Sequence, residues 1–132
     1  MEQYEVLENA VLNCLIVKPE LFKIIKLSEK HFKKHRRFYK FLKEFYDLFG
    51  KIDFSLIKSC SINPSEVMNY VADIIDTTSI PSNFELYEER LLKFYNQFEI
   101  IEEINKLNKK LYLRDIDIDN FKIELKEIIG EI

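Results

Sequence analysis

His31 and His35 stand four residues apart, close enough to share one face of a helix, and paired imidazoles are a common half of a zinc site. No third ligand lies nearby in the sequence, so the two are expected to belong to a solvated basic surface rather than to a metal centre. Asp115, Asp117 and Asp119 imitate the opening of a calcium loop. Such a loop also needs glycine at its sixth position and glutamate at its twelfth, where this chain has Asn120 and Lys126. The three acids are therefore expected to form a turn and to cap a helix. Cys14 and Cys60 are too few and too isolated for a disulfide framework, and Cys14 falls inside an apolar helical pattern as a small core residue. No Walker A pattern, glycine-rich phosphate loop or GxSxG elbow occurs, which leaves nucleotide hydrolysis without a seat. The chemistry of the chain is expected to be that of binding, with no catalytic, cofactor or metal residue.

Charge is the stronger signal. The formal net charge is −3 over 132 residues, which argues against a domain that coats nucleic acid. Locally the balance is uneven. Between Lys23 and Lys43 the cations Lys33, Lys34, Arg36, Arg37, Lys40 and Lys43 lead a run opposed by Glu29 alone. Between Glu66 and Glu103 acids dominate, with Arg90 and Lys93 against them. Two solvated faces of opposite sign explain this, and so does a docking surface or head-to-tail complementarity between subunits. The six named cations are the candidate docking face. Phe38 and Phe41, interleaved with them, are expected in the core, which leaves DNA a weak electrostatic contact at most.

The elements that must position these residues are helical. A composition of 47% hydrophobic residues with two glycines and three prolines suits a packed core and leaves little for a turn-rich β fold. Val6, Leu7, Ala10, Val11, Cys14 and Leu15 form one face of a helix from Gln3 to Val17, ended by Pro19. Pro19 suits the start of a second, short helix from Glu20 to Leu27, and Ser28 can cap a single turn leading into the basic segment. Phe38, Phe41, Leu42, Phe45 and Phe49 line a helix from Lys34 to Phe49, with Gly50 as its C-terminal cap. Asp53 is a cap for a short helix holding Phe54, Leu56 and Ile57. Asn63-Pro64-Ser65-Glu66 announces another that runs to Ile75 and buries Val67, Tyr70, Val71 and Ile74.

After a loop from Asp76 to Ser82 comes the longest uninterrupted stretch, Asn83 to Leu113, with no proline or glycine. As a helix it would run roughly 45 Å, more than a core of this size can cover. The turn Arg114 to Asp119 and a last helix from Asn120 to Ile129 fold back on it as a hairpin. The expected fold is all-α: a compact multi-helix globule over residues 1–82, then a long C-terminal helical hairpin over residues 83–132. No run approaches a transmembrane length and no signal sequence opens the chain, so a cytoplasmic location away from membranes is the expectation.

Several short patterns now occur in order along the chain. Glu8 to Leu15 has the form E-x-x-VL-x-x-L, followed by the turn around Pro19 and Glu20. Ser28 to Phe32 is a capped turn, His35-Arg36 precedes Phe38, Gly50-Lys51-Ile52-Asp53 forms a junction, and Asn83 stands four residues before Tyr87. The series resembles the N-terminal domain of DnaB-type replicative helicases across nearly the whole chain. Asn13 departs from it, standing where that family commonly has a small residue. The resemblance implies a non-catalytic collar that oligomerises through its hairpin, as a dimer or a trimer of dimers within a hexamer. It also implies primase and helicase-loader partners in DNA replication, with ATP and magnesium confined to a separate motor domain. Phe98, Ile101, Ile104, Leu107, Leu111, Phe121, Leu125 and Ile128 are then the candidate subunit contacts. A similar fold occurs in the helicase-binding C-terminal domain of primase, which the run Phe45 to Ile57 would also suit. A primase-type domain, or a stand-alone regulator that docks on the helicase, is the alternative.

Overall fold

The computed structural model describes residues 2–60, 63–75 and 79–130. Among them are six α-helices and no strand: α1 (Glu2–Val17), α2 (Arg36–Phe49), α3 (Phe54–Cys60), α4 (Pro64–Ile75), α5 (Phe84–Tyr112) and α6 (Ile118–Gly130). Two compact units divide the chain, Met1–Leu92 and Lys93–Ile132. The expected division lay at residue 82. It falls later because Phe84, Glu88 and Leu91, on the first turns of α5, are buried within the first unit.

In that unit α1 is the central element. Its residues from Ala10 to Ile16 are all buried, so the single apolar face expected of it is closer to a full circumference. Val6, expected on the inner face, is exposed instead. Packed against α1 are α4 and two short 3-10 turns, Pro19–Lys23 and Pro81–Asn83. The last of these lies in the expected 76–82 loop, of which Asp76, Thr77 and Thr78 fall outside the described residues.

The helix expected from Glu20 to Leu27 is a 3-10 turn that stops at Lys23. Its remaining backbone is claimed by distant side chains. The Lys26 N–H donates to a Glu88 carboxylate oxygen at 2.8 Å, and the Leu27 carbonyl accepts from the Tyr39 hydroxyl at 3.3 Å. Continuing the helix would forfeit both. On α2 the inner face centres on Tyr39, Leu42 and Phe45, while Phe38 and Phe41 are half-buried and Phe49 is exposed. Tyr39 is the position the sequence pattern missed. Its ring stacks on Phe32 with centroids 4.2 Å apart, and burial pushes its hydroxyl pKa up to about 12.

Caps at the helix ends follow from residue type. Gly50 closes α2 at φ 69°, its N–H donating to the Tyr46 carbonyl at 2.7 Å. Asp53 Oδ1 accepts from the N–H groups of Ser55 and Leu56. Asn63 Nδ2 donates to Glu66 Oε2 at 3.0 Å at the start of α4. In the second unit α6 begins at Ile118, two residues before the expected Asn120, because Asp117 caps it by accepting from the Asn120 N–H at 2.8 Å. Arg114 ends α5 in the left-handed conformation at φ 61°. The N–H groups of Arg114 and Asp115 donate to the Leu111 and Lys110 carbonyls, which is a Schellman closure made without glycine. Arg114→Gly should relieve that conformation and raise stability by about 0.5–1 kcal/mol, read as a shift in the urea midpoint.

Candidate functional site

Two surfaces bear on function, one in each unit. The first is a groove of about 680 Å³ between the start of α2 and the face of α4. Phe38, Phe41, Val67 and Tyr70 give it an apolar lining, and Lys33, Lys34, Arg36 and Arg37 stand on one side with Glu66 on the other. The candidate docking face is thereby divided. Its first four cations converge on this groove, whereas Lys40 and Lys43 line a separate hollow with Phe22, Leu27, Glu44 and Asp47. Phe38 and Phe41, expected in the core, form part of the groove and stay half-exposed.

The backbone at the groove's cationic side is hydrogen-bonded to a buried carboxylate. Glu8 of α1 has 0% of its surface exposed, and its oxygens accept from the backbone N–H groups of Lys34 at 3.3 Å and His35 at 3.4 Å. These lie just before the first turn of α2, where backbone donors have no intrahelical acceptor and a negative charge is favoured. His35 occupies the cap position without capping through its own side chain, so a carboxylate from another helix does it. Burial raises the Glu8 pKa, opposed by the hydrogen bonds from the backbone of residues His35, Lys34 and Lys33.

The two histidines are buried, contrary to the expectation of a solvated surface. His31 Nδ1 accepts from the Ser28 N–H at 2.9 Å, completing a reciprocal cap, and its carbonyl accepts from the Tyr4 hydroxyl. His35 Nδ1 is hydrogen-bonded to the Tyr70 hydroxyl on α4. Backbone and hydroxyl partners thus engage the Nδ1 atoms, while His35 Nε2 is buried without a hydrogen-bond partner among the described residues. Among the described residues no cluster of His, Cys, Asp and Glu is arranged to hold a metal ion. Cys14 is buried, with its thiol pKa raised by that burial. Asn13, the departure noted above, uses its amide to donate to the Ser79 hydroxyl at 2.5 Å.

Burial lowers the His35 pKa, with the Lys34 charge acting in the same direction. The unfolded chain takes up this proton near the ordinary 6.5, and the folded chain resists it until lower pH. Stability from His35 is therefore complete above 6.5, falls as pH drops below it and levels off beneath the folded pKa. Glu8 has the opposite sign, because a raised pKa lets the folded state bind its proton first on acidification. Wild-type protein should lose stability in urea titrations between pH 7.5 and 5.5, and His35→Gln should lose less or none.

The second surface is the hairpin. Lys106, Leu107 and Lys110 of α5 and Glu124, Glu127 and Ile128 of α6 border one hollow, and the connection over residues 113–117 turns the chain back between them. Of the candidate subunit contacts, Ile101 is 52% exposed and Leu107 only 3%, which makes Leu107 part of the hairpin's own interior. Phe98, Ile104, Leu111, Phe121, Leu125 and Ile128 are half-buried. Leu113, Ile118 and Ile123 are exposed apolar residues that the periodicity had not singled out, and Ile129, which it placed on the last helix, is exposed as well.

Among the described residues the chain is all-α, with a capped core unit and a helical hairpin. The family model of the DnaB-like helicase N-terminal domain matches residues 1–93, and the chain belongs to that family. It is thereby an oligomerisation domain of the kind associated with replicative DNA helicases. No curated protein and no solved structure gave a match. Glu8 and His35, which head two of the short patterns behind the resemblance, meet in space at the start of α2. Among the described residues no helix is long and apolar enough to cross a membrane.

Proposed function

We propose that the chain is a non-catalytic oligomerisation and partner-docking domain of a bacterial or phage replicative helicase, working in the cytoplasm during DNA replication. Its partners are further copies of itself and a primase or helicase loader, with ATP and magnesium handled by a separate motor domain. Subunits pair through the hairpin, and partners meet the cationic face at the start of α2. The observation that carries the self-association is the exposed apolar surface of the hairpin unit, at Ile101, Leu113, Ile118, Ile123 and Ile129. Apolar surface gathered on one short hairpin is buried more favourably against a second copy than against water. Size-exclusion chromatography with light scattering tests this reading. A dimer or a larger closed assembly is expected, and a strict monomer at high concentration would sink it. A pull-down against purified primase and loader tests the docking half separately.

A further inference from the structure

The groove between α2 and α4 carries its own description of a ligand. The half-buried lining of Phe38, Phe41, Val67 and Tyr70 calls for apolar side chains, and its volume of about 680 Å³ falls within the usual range for a site that anchors them. The cations on the α2 side call for carboxylates. Lys34 is partly engaged, with Glu5 at 3.4 Å, and Arg36 donates to the carbonyls of Glu29 and Lys30. Arg37 is exposed and makes no ion pair among the described residues. We propose that this groove takes an acidic amphipathic helix of a partner protein, its apolar stripe against Phe38, Phe41 and Val67 and its acids toward Arg37. Helix-in-groove recognition of this kind uses apolar anchors at i, i+3, i+4 and i+7 with charge on the flanks.

A nucleic-acid strand fits less well. Phe38 and Tyr70 pack on each other with centroids 4.9 Å apart, and the Tyr70 hydroxyl is tied to His35, so neither ring is a free platform for a base.

The inference deepens the docking half of the proposed function and is independent of self-association. Its test is an NMR titration of the full chain with a capped synthetic peptide of about four helical turns, bearing leucines at the anchor spacing and Asp or Glu elsewhere. Saturable shifts at Phe38, Val67 and Tyr70 are expected, weakened about tenfold by Arg37→Glu and lost when the peptide's leucines become serines. Lys122→Glu, in the other unit, should change nothing. The absence of saturable shifts in the groove overturns the inference, as does displacement of the peptide by oligothymidylate of equal charge. The pull-down separates the two levels. Capture of primase or loader without peptide binding retains docking and rejects this ligand, whereas loss of both rejects docking itself.

Discussion

Ile101→Glu is expected to leave the protein folded and to weaken its self-association about a thousandfold. The side chain is already 52% exposed in the single chain, so a carboxylate there stays solvated in the monomer and the thermal melt should hardly move. Phe98 and Ile104, three residues to either side on α5, are half-buried and extend the same apolar strip. In a pair of hairpins that strip would be covered, and the substitution would replace about 1 kcal/mol of apolar burial with an uncompensated charge. A twofold interface contains the site twice, so a loss of about 2 kcal/mol per copy becomes about 4 kcal/mol per dimer. Sedimentation velocity across a concentration series reads this directly. An unchanged association constant would place the subunit contact elsewhere, with Ile118 and Ile123 the next surface to substitute.

The helices were legible where local chemistry agreed with the fold. Asn63-Pro64, Gly50 and Asp53 mark ends that the structure keeps, and the apolar spacing finds Leu7, Ala10, Val11, Cys14 and Leu15 of α1 and Leu42 and Phe45 of α2. Several illegible positions have a partner far away in sequence. Lys26 leaves the helical path for Glu88, 62 residues on, and no window of residues contains both. His31 and His35 read as surface because polar residues usually are, and the folded chain instead gives His31 the Ser28 N–H and His35 the Tyr70 hydroxyl as partners. A usable signal did exist for Glu8 and His35, since both begin short patterns of the resemblance, although neither pattern said that they touch. The groove escaped notice for a related reason. Phe38 and Phe41 have core spacing on α2, and what leaves them half-open is that α4 meets that side of α2 with Val67 and Tyr70 across a gap.

Glu8→Ala is the substitution expected to reach furthest through the first unit. Removing the carboxylate leaves the N–H groups of Lys34 and His35 without their acceptor, one of them in the core, and opens a cavity beside α1. Unsatisfied buried donors and lost charge-assisted hydrogen bonds together should lower stability by about 3 kcal/mol, a substantial share of the total for a domain of this size. Glu8→Gln keeps one acceptor oxygen and nearly the same volume, so its loss should be about 1 kcal/mol. Equilibrium urea unfolding distinguishes the two, and equal losses would mean that charge rather than the acceptor holds the start of α2. The consequence extends to the groove, because Lys33, Lys34, Arg36 and Arg37 belong to the very segment whose backbone Glu8 grips. If that grip positions them, Glu8→Ala weakens binding of the acidic peptide even under conditions where the variant remains folded, and Glu8→Gln preserves it. Unchanged peptide affinity in folded Glu8→Ala would show that the cations hold their places without the carboxylate, reducing Glu8 to a purely stabilising role.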